Sequence, residues 1–520
     1  MRRRLLIACI SFLIILASVL YRYTAALARP SALLSLLRTT AIMSASAPPA
    51  PLVIVVGSGL AGLSASYEAL QRGATVKLLD AAPKPGGNSI KASSGINGAG
   101  SRFQQALGIR KDDSFYEDTV RSAGVRFNKS GEPAVDRAGL VAKLVNESAG
   151  AVEWLADEIG VDLSVVAALG GHSVARTHRG GGNLPPGAAI VSALLAKLKA
   201  NDNFDLRSSA QVTSLVTSDI GAVQGVEYQT DSETHSLTGK VVFASGGFAG
   251  DATGLLARYR PDLKGMPSTN EERPGSHDIL SSVGAGLLDM DSVQIHPTGF
   301  VDPANANAKL KFLAAEMLRG HGGILLSAEG KRFVNELETR ANVSKAIMDL
   351  PGTEEGGVKQ WDVTLLLDPG AAKAAASHIG FYEWKGLLKR VPVKDLSPDI
   401  IAAVDKYAAA VESSAQDEFG RRTYGDWELK PGEANRDELV YVGRVTPIVH
   451  FTMGGVAIDD KAQVLRKADE GKLVPVPGLY AAGEITGGVH GDNRLGGSSL
   501  LECVVFGRAA GVEAAHAAFE

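Results

Sequence analysis

Leu52–Val56 (LVIVV) is an unbroken apolar run rich in β-branched residues. With no polar residue at alternate positions it predicts a strand covered on both faces, as in a parallel sheet. The turn Gly57–Gly62 (GSGLAG) follows; then Leu63, Tyr67 and Leu70 fall on one stripe of a helix that Gly73 ends. Thr75–Asp80 (TVKLLD) predicts a second strand. Strand, glycine-rich turn, helix, strand and terminal acid make a nucleotide-binding βαβ unit of about 30 residues. Lys240–Gly247 (KVVFASGG) and Leu479–Glu484 (LYAAGE) read as further apolar strands running into glycine, and Leu500–Gly511 as an apolar closing helix. The sheet is therefore expected to draw on both ends of the chain. The middle carries more charge and more aromatic residues, with helical patterns at Gly370–Ser377 and Asp399–Glu418. The predicted division is 1–47 as targeting segment and linker, 48–290 and 451–520 as two parts of one α/β nucleotide-binding domain, and 291–450 as an insertion. No repeat of solenoid period is present.

Composition narrows the class. With 45% apolar and 21% charged residues, the bulk of the 520-residue chain is neither disordered, collagenous nor a multi-span membrane protein. The 59 glycines exceed ordinary usage and suit turns and close approach of backbone to a ligand. Cys9 and Cys503 are too few for a disulfide framework or an iron–sulfur cluster, and no CxxCH motif offers a haem attachment.

The first acid is Glu68, whereas Arg2, Arg3, Arg4, Arg22, Arg29 and Arg38 all precede it. The arginine cluster, the largely apolar Leu5–Leu20 and the small residues Ala26-Leu27-Ala28 describe a secretory or ER signal. Arg- and Ser-containing, acid-free sequence also describes a mitochondrial presequence, and both routes stay open. The apolar run is shorter than the ~20 residues of a spanning helix, so membrane contact is limited to an uncleaved anchor. Met43 offers a start for a shorter cytosolic product. With the six arginines of residues 1–42 set aside, 47 basic against 57 acidic residues leave a balance of −10. An acidic body argues against a nucleic-acid partner.

GSGLAG fits GxGxxG: Gly57 for the tight turn, Gly59 for backbone approach to a pyrophosphate, Gly62 for packing of the helix on the strand. Asp80 at the end of the second strand is placed to accept from a ribose hydroxyl. The bland alternative is a tight turn without ligand and a solvated strand end. The fingerprint serves FAD and NAD alike. The following Pro85–Gly100 (PGGNSIKASSGINGAG) favours FAD, because its small residues and amides suit backbone wrapped around a flat ring system.

The strings GSGLAGLSAS, GGNSIKASSGIN, VQIHPTGF, GKRFVNELETRAN, HFTMGG and AAGEITGGVHGDNRLGGSSLLECVVFGR span residues 57–508. They resemble the flavoprotein family of fumarate reductases and succinate dehydrogenases, most of all its soluble eukaryotic-type members. The resemblance implies a Rossmann-like FAD-binding domain interrupted by an α+β capping domain. It places FAD against Gly57, Gly59, Gly62, Asp80, Asn88, Ser89, Gly246 and Glu484, with Leu500 and Leu501 bringing the last helix to the isoalloxazine. Asn88 stands where membrane-complex relatives have a flavin-linked histidine, so the FAD is expected to be non-covalent.

The same resemblance assigns His296, His450, Arg494 and Gly497 to a dicarboxylate substrate. Polarised by them, fumarate takes a hydride from flavin N5, and Arg340 protonates the other carbon to give succinate. Arg340 is resupplied by a relay Arg319–Glu316–Arg340. An arginine acid is unusual, its pKa being above 12, and depends on such a relay. Taken singly, each residue has a plainer reading: His296 and His450 as satisfied structural histidines, Arg340 and Arg494 as surface ion-pair partners, Glu316 and Arg319 as an exposed helix pair. Cys503 reads as core, and His490 and Asn493 as shaping their loop. Ala315 stands where many bacterial relatives have a substrate-contacting threonine, and Gly275-Ser276-His277-Asp278 replaces a usual GDG string. No metal site is expected. With no haem or cluster motif, the implied electron donor is diffusible reduced flavin (FADH2 or FMNH2) or a redox protein. The alternatives are reduction of another unsaturated acid, urocanate-like or methacrylate-like, and a catalytically silent flavoprotein redox partner.

Overall fold

A computed structural model describes residues 50–128, 135–182, 184–231, 233–468 and 472–520. The targeting segment, Cys9 and Met43 lie outside the described residues. The apolar run Leu52–Val56 forms strand β1, followed by helix α1 (Leu60–Gln71) and strand β2 (Thr75–Leu79). Helix α2 (Pro186–Lys199) leads to β3 (Phe204–Arg207). An antiparallel meander, β4 (Gln211–Thr217), β5 (Val223–Thr230) and β6 (Glu233–Thr238), precedes β7 (Lys240–Phe243). The second half of the chain contributes β8 (Val293–Phe300), the short α3 (Met317–Gly320), β9 (Ile324–Leu326), α4 (Arg340–Met348) and β10 (Val363–Leu367). Then come α5 (Pro398–Ser413), β11 (Leu439–Thr452), β12 (Gln463–Lys467), β13 (Leu473–Ala481) and α6 (Ser498–Phe519).

The nucleotide-binding sheet runs β12-β13-β7-β1-β2-β3, parallel except for the edge strand β12. Strands from both ends of the chain thus share one sheet, and β1 is wholly buried from Val53 to Val55. Helices α1 and α6 cover it as a close pair. A Cβ on Gly507 would lie 2.6 Å from the Ala61 carbonyl, and one on Gly511 would lie 2.2 Å from that of Ala65. Glycine four residues apart on one helix, facing alanine four apart on the other, is what lets the backbones touch. Helix α6 is longer than the apolar pattern suggested, because polar positions near its end sit on its outer face.

The inserted region builds a second sheet around the 14-residue strand β11, which pairs antiparallel with β8 and β10; β9 extends it beyond β10. The expected helices are present. Pro369–Ala374 and Ala376–Trp384 lie back to back, and α5 stops earlier than its pattern suggested, where Ser414 turns left-handed. The pairing of β8 with β11 is broken twice. Gln294 faces Phe451 and Ile295 faces Val449, leaving His450 extra; His296 faces Ile448 and Gly299 faces Thr446, leaving an extra residue beside Pro297. Proline has no N–H for the ladder and suits such a bulge, and bulges re-aim the neighbouring side chains. Both predicted substrate histidines are set by these two irregularities.

Candidate active site

A cavity of about 480 Å³ runs from the β1–α1 turn to the face of the second sheet. Gly57, Gly59, Asp80, Asn88, Ser89, Gly246, Glu484 and Leu500 line one stretch; His296, Glu316, Arg340, His450, Arg494 and Gly497 line the other. Gly62, Leu501 and Arg319 stand behind the wall. Gly62 packs helix to strand, with a Cβ there only 1.9 Å from the Gly57 carbonyl, and Leu501 is core.

The turn fits a dinucleotide. Gly57 has φ +103° and a Cβ on it would lie 2.4 Å from the Ala244 carbonyl, so glycine is required. Gly59 is the opposite case: a Cβ there would meet nothing nearer than Ser89 Oγ at 3.5 Å, so its face is open to a ligand. The Ser89 hydroxyl accepts from the Leu60 N–H at the start of α1 (3.1 Å). The Asp80 carboxylate accepts from the Ser58 N–H and the Ala82 N–H, each at 2.7 Å, and also from the Ser58 hydroxyl. A carboxylate has lone pairs beyond these for a ribose hydroxyl. Asn88 donates to Asn270, which itself donates to the His450 carbonyl (3.2 Å), so the loop beneath the turn is tied to the histidine strand. Glu484 accepts from the Thr452 N–H (2.9 Å), and burial lifts its pKa to about 7.

The second stretch is strongly cationic. Arg340, at the start of α4, donates Nη1–H to Gln294 Oε1 (3.0 Å), and Arg494 donates Nη2–H to the same oxygen (3.1 Å). Gln294 returns its amide to Asn493 Oδ1 (2.7 Å) and the Arg494 carbonyl (3.0 Å). The Arg494 guanidinium lies 4.4 Å over the Phe451 ring, which also stands edge to face with His490. His490 Nε2 is 2.8 Å from Glu502, both buried, which is why this pair shapes the loop. Burial and the neighbouring Arg340 pull the Arg494 pKa down to about 9.

His296 and His450 stand edge to face with ring centres 5.5 Å apart. Burial holds both well below the usual histidine value; Arg340 then adds repulsion at His296, and His296 itself at His450. Both are neutral. His296 Nδ1 lies 3.2 Å from both the backbone nitrogen and the carbonyl oxygen of Thr298, which fixes the orientation of the ring. His450 Nδ1 is 3.3 Å from the Thr269 hydroxyl. Two imidazoles and two guanidinium groups on one wall suit an anion with separated carboxylates.

Glu316 caps α3 and joins Arg340 through one oxygen: Oε2 accepts from Arg340 Nε (2.7 Å) and Nη2 (2.6 Å). Its burial works against ionisation, but the charges of Arg340 and Arg319 together outweigh that and hold its pKa at about 2. The expected third member is less directly engaged. Arg319 donates Nη1–H to the Glu336 carbonyl (2.6 Å), while its Nε and Nη2 are buried without a hydrogen-bond partner. It acts on Glu316 through its charge. Glu316 is the N-cap of α3, with helical dihedrals, and its carbonyl accepts from the Arg319 and Gly320 N–H groups (3.1 and 3.2 Å), so the two residues stand one turn apart.

Several residues of the site were not singled out in the sequence. Gln294, Phe451, Thr269 and the Gly170 N–H, which donates to Glu316 Oε1 (3.0 Å), have no signature of their own. Gln294 and Phe451 lie inside the strings VQIHPTGF and HFTMGG, one position or two from the histidines, and that adjacency was the available signal. Ala315 is buried, and its N–H donates to the Tyr382 hydroxyl (3.2 Å), which donates to the Leu313 carbonyl (2.9 Å). Gly275 and Ser276 reach the cavity, His277 is fully buried and Asp278 pairs with Arg258. Among the described residues no cluster of side chains could hold a metal, and no helix is long and apolar enough to cross a membrane.

Residues 53–500 match the FAD binding domain family. The chain is 41% identical over 483 residues to fumarate reductase 1 of Saccharomyces cerevisiae, spanning 88% of this chain and 97% of that protein. It is 39% identical to the fumarate reductase of Schizosaccharomyces pombe, spanning 88% of each. Among solved structures, the open conformation of a flavocytochrome c3 fumarate reductase matches with a TM-score of 0.72 at 32% identity, over 93% of this chain and 81% of that one.

Proposed function

This chain belongs to the FAD-binding flavoprotein family of the fumarate reductases, and we propose that it reduces fumarate to succinate at the cationic wall of its FAD cavity. One observation carries the reading: Arg340 and Arg494 meet on a single oxygen of Gln294, beside two neutral histidines, in the cavity that the β1–α1 turn opens. Asp80, Ser89, Gly59 and Glu484 would hold FAD non-covalently, Asn88 being engaged with Asn270. Reduced FAD supplies a hydride equivalent.

Arg494 and the imidazoles of His296 and His450 grip and polarise the carboxylates of the substrate. Drawing charge toward one carboxylate makes the far alkene carbon electrophilic. The carbanion left after hydride addition takes a proton from the Arg340 guanidinium, which breaks an N–H bond and forms a C–H bond. A proton from solvent, taken up in passing by Glu316 Oε2, is then handed to Arg340, with which that oxygen is already hydrogen-bonded, and Glu316 is left as the carboxylate it was. Arg319 stabilises the Glu316 carboxylate electrostatically, and the same positive field lowers the energy of the carbanion. Because the guanidinium pKa lies above 12, proton loss is transient and the ion pair with Glu316 is restored at once.

The electron donor is diffusible reduced flavin or a redox protein. The test is an anaerobic assay of the FAD-loaded protein with reduced FMN. Reduced flavin is oxidised when fumarate is added and not before; oxidation independent of fumarate overturns the reading. Urocanate and methacrylate run beside fumarate measure preference. The acid-free N-terminus supports routing to mitochondria or the ER, which mass spectrometry of the mature N-terminus with cell fractionation decides.

A further inference from the structure

The segment Leu169–His172 (LGGH) belongs to no motif quoted above, yet it touches both halves of the site. It is a tight turn: the His172 N–H donates to the Leu169 carbonyl (3.1 Å), and Gly171 supplies φ +84° at the third position. Its Gly170 N–H donates to Glu316 Oε1 (3.0 Å), the carboxylate oxygen that Arg340 does not use. His172 Nε2 lies 2.9 Å from the Gly496 carbonyl, two residues beyond Arg494. Since a carbonyl only accepts, Nε2 carries the proton, and Nδ1 accepts from the Leu169 N–H (3.3 Å). Burial lowers the His172 pKa to about 4, which keeps that tautomer neutral. The turn is anchored from below by Ser173, whose N–H and hydroxyl donate to Asp118 (2.8 and 2.6 Å), and by Arg121 on the Gly171 carbonyl (3.2 Å).

We propose that the Leu169–His172 turn is a positioning element for proton delivery, holding the Glu316 carboxylate in register with Arg340. This rests on the functional reading given above. A carboxylate pinned by an N–H on Oε1 cannot rotate about its terminal bond, so Oε2 stays aligned with the guanidinium. The same N–H favours the ionised form, so a proton taken up at Oε2 is passed back to Arg340 rather than kept. His172 and Asp118 set the height of the turn, and through Gly496 the turn is tied to the loop that carries Arg494. The contact is tight: a Cβ on Gly170 would lie 2.6 Å from Glu316 Oε1. A methyl group there pushes on Oε1 while Arg340 holds Oε2, so the carboxylate cannot move away without disturbing the ion pair.

The experiment uses the FAD-loaded full chain with saturating reduced FMN. Gly170→Ala lowers kcat for fumarate by roughly 10- to 100-fold, the scale of a misplaced proton-transfer group, while KM stays within about twofold and FAD content is unchanged. In a double-mutant cycle, Gly170→Ala adds nothing to Glu316→Gln, since the turn acts through that carboxylate. His172→Ala lowers kcat likewise, and His172→Gln, which retains an N–H donor, restores part of it; this pair serves if Gly170→Ala does not fold. A kcat within twofold of wild type for Gly170→Ala, additive losses in the cycle, or loss confined to KM or FAD content overturns the proposal. Absence of fumarate turnover in the wild-type protein overturns the functional reading instead, and the turn's role with it.

Discussion

Arg340 and Arg494 come from segments more than a hundred residues apart, yet both donate to the one side-chain oxygen of Gln294, at 3.0 and 3.1 Å. Burial, and after it the repulsion between two like charges this close, depresses the pKa of Arg494. Gln294 is the bracket that makes the arrangement tolerable. Its carbonyl faces both guanidinium groups, and its amide is fixed by Asn493 and the Arg494 carbonyl, so it cannot flip.

Replacing Gln294 with leucine keeps the volume and removes the acceptor. Each guanidinium then loses a buried hydrogen bond worth about 1–3 kcal/mol and the pair drifts apart. Expected is a fall in kcat/KM for fumarate of roughly 10- to 1000-fold with FAD content unchanged. Steady-state kinetics with the 450 nm flavin absorbance checks both. Retained kcat/KM shows that the two arginines are placed by other contacts.

The relay makes a graded prediction. Arg340→Ala removes the acid and abolishes reduction of fumarate and of every other unsaturated acid, by at least about 1000-fold, with FAD retained. Glu316→Gln keeps shape but offers no carboxylate, and costs roughly 100-fold. Arg319→Met costs less, about 10-fold, because its charge and not a hydrogen bond reaches Glu316. Turnover of the three variants checks the order; Arg319→Met falling below Glu316→Gln reverses it.

Much of this was legible in the chain. An apolar run before GSGLAG and an acid after the second strand placed β1, the turn and β2, because a parallel strand and a glycine turn leave strong local patterns. His296, His450, Arg340 and Arg494 were recovered from their strings, Glu316 from the relay that the family resemblance implies, and all five line one cavity. What stayed hidden is non-local. The bulge that leaves His450 without a ladder partner depends on the register between strands about 150 residues apart, and no single-strand pattern carries it. Gly170 contributes a backbone N–H, for which side-chain identity holds no signal. The early end of α5 follows from Ser414 adopting a left-handed conformation, a tertiary choice where the apolar pattern runs on.

The buried acid Glu484 predicts a pH dependence. Its folded pKa, raised by burial to about 7, lies above that of an unfolded glutamate. A group raised in this way contributes stability that is complete below its unfolded pKa and is lost as pH climbs through the folded one. The FAD-free protein should therefore lose on the order of 3 kcal/mol between about pH 4.5 and 7 from this group. Glu484→Gln cannot ionise and should not show that loss. Thermal midpoints of both forms across this range check it; parallel curves would remove Glu484 as the source.

Two glycines, one in the α1–α6 contact and one outside it, predict substitutions of opposite sign. Gly507 faces the Ala61 carbonyl so closely that even a methyl group forces the helices apart. Gly507→Ala should destabilise by about 1–3 kcal/mol through overpacking. It should also weaken FAD retention, because α1 carries the turn at its N-terminus. Gly150, in the helix Ser148–Trp154, has nothing within 4 Å of a Cβ and a φ outside the left-handed region. Gly150→Ala should stabilise by about 0.4–1 kcal/mol by restricting the unfolded chain. Urea unfolding of the two variants, with flavin released on desalting as the second readout, separates close packing from backbone entropy. If Gly507→Ala keeps its flavin and its midpoint, the helices have room to spare and α6 does not set the position of the turn.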